Sequence, residues 1–203
     1  MATSTRATSG GRSEVGIQCF VVEETGRVQL SLRRYCEQAC PGPSPFSYHN
    51  VSTVIGEAPE KLTSEGYLES LDGTVDRSDP RWPSSCVCGY AFLEDDHWQV
   101  NQHTIYRRPE TGDEWVDREL PPGAIRQASW LPESDAGPLG KLLLRLPAGG
   151  LDWSVYGPST TDDGRLGPHW TITGQLPNLS ASPSINAEGV WHGFLRDGVL
   201  DPA

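Results

Sequence analysis

"DPRWPSSCVCGY", residues 79–90, sets two cysteines one residue apart, behind Trp82-Pro83 and directly before Gly89. Three readings are open for such a pair: the thiolates hold a metal, they enter a disulfide, or they are small side chains in a core. The rest of the chain bears on the choice. Its five cysteines, at 19, 36, 40, 86 and 88, are an odd count, so at least one thiol stays outside any full pairing. The opening "MATSTRATSGGRSE" has no apolar central region of a secretory signal. A reduced compartment and a metal are therefore expected ahead of a disulfide framework.

Structural zinc takes thiolates and imidazoles in a closed tetrahedron, with ligands arriving as two close-spaced pairs. Cys86 and Cys88 form one pair, and Gly89 behind them lets the backbone turn so that its amides can face the sulfurs. The other pair is drawn from Cys36, Cys40 and His49, all on the proline-rich stretch "CEQACPGPSPFSYHNV", residues 36–51. Cys-Val-Cys is tighter than the usual zinc spacing. The alternative is a disulfide between the two segments, since a bridge from Cys36 to Cys40 would close a very small loop. A catalytic zinc would need three protein ligands, an open position and a nearby base, and nothing in "CVCGY" selects that. Cys19, between Gln18 and Phe20, reads as a small buried hydrophobe.

The surrounding chain predicts the fold class. Among 203 residues, 22 glycines and 17 prolines favour short strands and many turns over long helices, and no segment sustains helical amphipathicity. Seven Trp and six Tyr supply core volume where aliphatics are scarce. "IQCFVVEETGRVQLSLRRY" reads as a hairpin turning at "EETGR", residues 36–51 as a loop, and residues 52–79 as a polar, loosely packed excursion. "WQVNQHTIYR" reads as a strand, with Thr111-Gly112-Asp113 turning into a second hairpin. "GKLLLRLPAGGLDWSVYGPS" gives the clearest hairpin. "WTITG", "SPSI" and "GVWHGFLRDGVL", with its Asp197-Gly198 turn, give further strands. The expectation is a mainly β protein of short antiparallel strands and hairpins with long Gly/Pro-rich loops, pinned by one structural zinc. Residues 1–14 form a flexible N-terminal arm and residues 15–203 one domain, with 15–135 (the cysteine-containing part) and 136–203 (the C-terminal hairpins) as sub-units.

Other chemistry finds little footing. His97, His103, His169 and His192 are scattered rather than spaced as ligands, and read as hydrogen-bonding groups at strand edges. The serines of "SASPSI" have no Gly-x-Ser-x-Gly elbow and no assignable His/Asp partner. Glu94-Asp95-Asp96 reads as a solvated acidic turn, and no phosphate-cradling glycine loop is present. The chain is thus expected to be no enzyme, with no catalytic residues and no organic cofactor. A net charge of −11 speaks against a nucleic-acid partner, and the lack of a long apolar run against a membrane span.

"DPRWPSSCVCGYAFLEDDHWQVNQHTIYRRPETGDE…ELPPGA", then "GPLGKLLLRLPAG" and the closing "LPNLSASPSINAEGVWHGFLRDGVL", resemble a family of proteins, of unknown activity, encoded by tailed bacteriophages. The resemblance covers roughly residues 36–200. Its cysteine-proline-glycine and histidine positions fall on Cys40-Pro41-Gly42 and His49, which implies the metal set Cys40, His49, Cys86 and Cys88, with Cys36 in reserve. Relatives often carry further cysteines in the C-terminal third; here the last is Cys88, so no second cluster is expected. The resemblance implies a virion protein, a capsid decoration or accessory head or tail component, oligomeric within an assembly. Other phage structural proteins would be its partners, through the arm and through exposed-looking aromatics such as Trp115, Trp130 and Trp153. The alternative is an intracellular phage accessory protein, a zinc-stabilised binder of a host factor.

Overall fold

The computed structural model describes residues 16–42, 48–62, 78–147, 150–160, 166–187 and 189–203; the expected arm at 1–14 lies outside them. Strands β1 (Ile17–Gln18), β2 (Phe20–Val21), β3 (Glu23–Ala39), β4 (Tyr48–Ala58), β5 (His97–Arg107) and β6 (Glu114–Val116) precede a 3-10 turn at Asp117–Glu119. After β7 (Ala124–Gln127) and a second 3-10 turn at Glu133–Asp135 come β8 (Leu142–Arg145), β9 (Asp152–Ser154), β10 (Pro158–Thr160) and β11 (Leu166–His169). The chain closes with β12 (Thr171–Gln175), β13 (Asn178–Ser182), β14 (Ile185–Ala187), β15 (Trp191–Arg196) and β16 (Val199–Pro202). No α-helix occurs among the described residues, and the protein is mainly β with antiparallel sheets.

Contacts divide the chain into Val22–Leu120 and a discontinuous unit of Met1–Val21 with Pro121–Ala203. The reading from sequence put its internal division between residues 135 and 136. The observed division differs because β2 pairs in parallel with β7, Phe20 opposite Ala124 and Val21 opposite Ile125. A pairing across a hundred residues leaves no local pattern to read.

In Val22–Leu120 the sheet runs β4-β3-β5-β6, antiparallel throughout. Period-two alternation along β3 places Val28, Leu30 and Leu32 on one face, where they pack with Ile55, Ala58 and Val100, and with Trp82 and Leu62 at the margin. Arg34 and Cys36 continue that buried face toward the strand's end. Two expectations need correction. "EETGR" is not a hairpin turn: Gly26, at φ 82, lies in an irregularity where pairing with β5 slips between Glu24 and Val28, and the strand runs on. Residues 36–51 are not one loop either, and residues 52–58 are no excursion. β3 continues to Ala39 and pairs with β4 from Val28 onward, Cys36 opposite His49 and Ala39 opposite Tyr48. Of the rest of the expected excursion, residues 63–77 lie outside the described residues.

The other unit holds a four-strand sheet β2-β7-β8-β9 and a four-strand antiparallel sheet β1-β16-β15-β14, with hairpins β10–β11 and β12–β13. Its core gathers Cys19, Ile125, Leu142, Leu144, Leu146, Val155, Leu179, Ile185, Leu195 and Leu200. Asp197 and Gly198, at φ 46 and 74, make the left-handed pair that a tight β15–β16 turn requires. Trp153 is buried in this core, edge-on to Trp170 with ring centroids 5.2 Å apart, which corrects its reading as exposed. Trp115 is half-buried, while Trp130 is 70% exposed.

Candidate metal centre

Four side chains of the Val22–Leu120 unit converge: the ligand atoms of Cys40, His49, Cys86 and Cys88 all lie within 4.8 Å of one another and could hold a metal ion. Each arrives from a defined place. Cys40 directly follows β3, His49 is the second residue of β4, and Cys86 and Cys88 sit on a tight loop held by a bridge between Ser85 and Ala91. That loop is closed by backbone bonds from Cys86 N to Tyr90 O (2.8 Å), Gly89 N to Cys86 O (2.9 Å) and Phe92 N to Ser84 O (2.9 Å). Gly89, at φ 90, takes the left-handed conformation that closes it. Gly42 serves the other side: a Cβ there would come within 2.7 Å of the Cys88 Cβ, so only glycine lets the Cys40-Pro41-Gly42 backbone pass so near.

The loop bearing the cysteine pair is fastened to the sheet at three points, which answers why "DPRWP" precedes it. Asp79 accepts from the Arg81 amide (2.8 Å) and side chain (2.7 Å), and Arg81 in turn donates to the Ile55 carbonyl of β4 (2.5 Å). Hydrogen bonds from the Arg81 side chain and amide hold the Asp79 carboxyl down at about 2. Trp82 packs on the β3 core. Arg34, buried on β3, donates to the Pro83 carbonyl (3.0 Å) and to the Leu93 carbonyl, one on each side of the cysteine pair. Its guanidinium lies 5.6 Å from the Trp82 ring centroid and 5.0 Å from that of Phe92.

Inside the cluster, Cys88 Sγ is 3.2 Å from His49 Nδ1 and Cys40 Sγ is 3.8 Å from Cys86 Sγ. Burial works against the Cys86 thiolate. The Cys88 amide and the His49 side chain outweigh it and bring the thiol from 9.0 to about 6. At Cys40 the Gly42 amide lowers the pKa, but burial and the hydrogen bonds of Cys88 and Cys86 leave it raised overall. The Tyr90 ring stacks on His49 at 4.0 Å and 9° between planes. Its hydroxyl meets the Cys36 thiol at 3.5 Å, and this bond with the thiol, followed by burial, lifts the phenol to about 12. Cys36 therefore faces Tyr90 and lies outside the four. Cys19 is in the core of the other unit, where burial pushes its thiol up to about 12. All five cysteines are free thiols.

The remaining candidates fall where side-chain hydrogen bonding places them. His192 Nε2 is 3.1 Å from the Ser184 hydroxyl, His169 Nδ1 is 2.7 Å from the Tyr156 carbonyl, and His97 stacks on Tyr35. Asp96 accepts from the Leu93 amide at 2.7 Å within the acidic turn. One constellation was missed in the sequence. His103 Nε2 is 3.1 Å from Ser31 Oγ and its Nδ1 is 3.3 Å from Asp117, the order of a nucleophile, base and orienting acid. Only the pairing of β3 with β5 brings these residues together, so no spacing rule could have found them. Ser31 is 1% exposed in the central strand, and Arg118 also reaches His103 (3.5 Å). The arrangement ties β3, β5 and the 3-10 turn. No protein-family model, curated protein or solved structure matches this chain.

Proposed function

We propose that the chain is a zinc-stabilised, non-catalytic structural component of a tailed-phage particle, a capsid decoration or accessory head or tail protein. The observation that carries the zinc reading is the closed set of three thiols and one imidazole, supplied wholly by the protein and backed by amide donors. Soft thiolates with one imidazole in a four-ligand set suit zinc in a structural role. Such an ion would join the end of β3, the start of β4 and the loop 84–92. Metal binding of this kind is coupled to folding.

Placement in the particle rests on the phage-like motifs of residues 36–200, the acidic chain and the exposed Trp130. Its partners would be other phage structural proteins, reached in part through residues 1–14. Elemental analysis of protein purified without chelator should give one zinc per chain. Mass spectrometry of gradient-purified particles should find the protein at a copy number set by capsid or tail symmetry, and deleting residues 1–14 should weaken its attachment without unfolding residues 36–200. Absence from particles, together with abundance in infected cells, would replace this reading with that of an intracellular accessory protein binding a host factor.

A further inference from the structure

We propose that Cys40 and Cys86 are an oxidative modification site: hydrogen peroxide converts them to a disulfide, the metal leaves, and the new bond joins two of the three segments that the metal joined. The inference rests on the zinc reading above. Cys40 Sγ and Cys86 Sγ are 3.8 Å apart, within reach of a bond after small side-chain rotations. The other pairings are disfavoured by placement. Cys88 is engaged with His49, and a bridge from Cys86 to Cys88 would have to close across one intervening residue. Cys36 is turned to the Tyr90 hydroxyl, and Cys19 sits in the core of the other unit.

The two sulfurs differ in access, which orders the steps. Cys40 is half-buried and follows the last paired residue of β3, whereas Cys86 is buried. The Cys40 thiolate attacks a peroxide oxygen, the O–O bond breaks, and hydroxide leaves a sulfenic acid on Cys40. The Cys86 thiolate then attacks the sulfenic sulfur, forming the S–S bond and expelling a second hydroxide. The two thiolates supply two electrons, the peroxide is reduced to two hydroxides, and zinc keeps its oxidation state. His49 and Cys88 alone make half of a tetrahedral set, so the ion dissociates. Because the disulfide spans the end of β3 and the loop 84–92, the unit keeps its fold in both states. A protein assembled in a reducing cytoplasm and later released from it would trade one fastening for the other.

The test treats the full, zinc-loaded chain with hydrogen peroxide in the presence of a chromogenic zinc chelator, then maps disulfides by alkylation and peptide mass. One zinc released per Cys40–Cys86 disulfide is the expected result, unchanged in Cys36→Ser. The oxidised, metal-free protein should melt above reduced, chelator-treated protein, and lose that advantage when a reductant is added. Zinc retained through oxidation, or a disulfide formed instead by Cys36, by Cys88 with Cys40 or Cys86, or between chains, overturns the inference. If the untreated protein holds no zinc, it is the metal reading that fails, and the same peptide map still reports whether Cys40 and Cys86 join.

Discussion

Arg34 shows how one residue can decide a site from which it is itself absent. At 6% exposure on the apolar face of β3, it satisfies two loop carbonyls and lies between two aromatic rings. Arg34→Met would leave both carbonyls without their charged donor and free the cysteine loop at both ends. The expected cost is about 3 kcal/mol in urea denaturation, with weaker zinc retention against a competing chelator. Arg34→Lys should recover little, because an ammonium cannot span both carbonyls and lie flat between the rings. Cys86 sets a pH dependence in the metal-free protein. Its folded value of about 6 lies below its ordinary 9.0, so the stability it lends is complete above pH 9 and is lost as pH falls through 6. The raised Cys40 thiol acts in the opposite sense but above pH 9, outside that window. Urea midpoints of the metal-free protein should therefore fall between pH 9 and pH 6, and less so in Cys86→Ser.

At the scale of elements, two glycines separate the site from the scaffold. Gly42→Ala would press a methyl against the Cys88 Cβ, so zinc affinity should fall at least tenfold while far-ultraviolet circular dichroism is kept. Gly198→Ala strains the left-handed β15–β16 turn and crowds the Pro177 carbonyl at 2.8 Å. It should cost about 1–2 kcal/mol of stability, read by denaturation, and leave zinc affinity unchanged. The long β3 illustrates why turn residues mislead. "EETGR" carries the chemistry of a turn, yet the Thr25 hydroxyl donates to the Ile105 carbonyl of β5 (2.9 Å) and the irregularity is absorbed within the strand. Pairing of Glu23 and Glu24 with β5 on one side of the irregularity, and of Val28 onward with β4 and β5 on the other, outweighs the local preference.

For the whole molecule, the metal ligands all belong to Val22–Leu120 and the largest buried cluster to the other unit. Chelation should therefore act locally. Amide exchange at residues 84–92 should quicken by about a hundredfold or more on metal removal, while β8, in the core around Leu144, keeps its protection. Equal loss of protection in both places would mean that the ion holds the entire chain together.

The sequence by itself determined the β class, through glycine and proline frequency and the period-two runs of "VQLSL" and "WTITG". Because thiols and imidazoles are few, it narrowed the convergent side chains to Cys86 and Cys88 with a second pair from Cys36, Cys40 and His49, and the resemblance implied the four that converge. Tertiary structure alone decided the rest. Cross-strand register sets Cys36 opposite His49, yet its thiol meets Tyr90 and stays outside the cluster, and no spacing encodes which way a side chain turns. The Ser31–His103–Asp117 chain, the burial of Trp153 and the parallel pairing of β2 with β7 come from contacts distant along the chain, where local propensity is silent. The part played by Arg34 was hidden for the same reason. Its value lies in two carbonyls and two rings that only the folded loop brings within reach of its guanidinium.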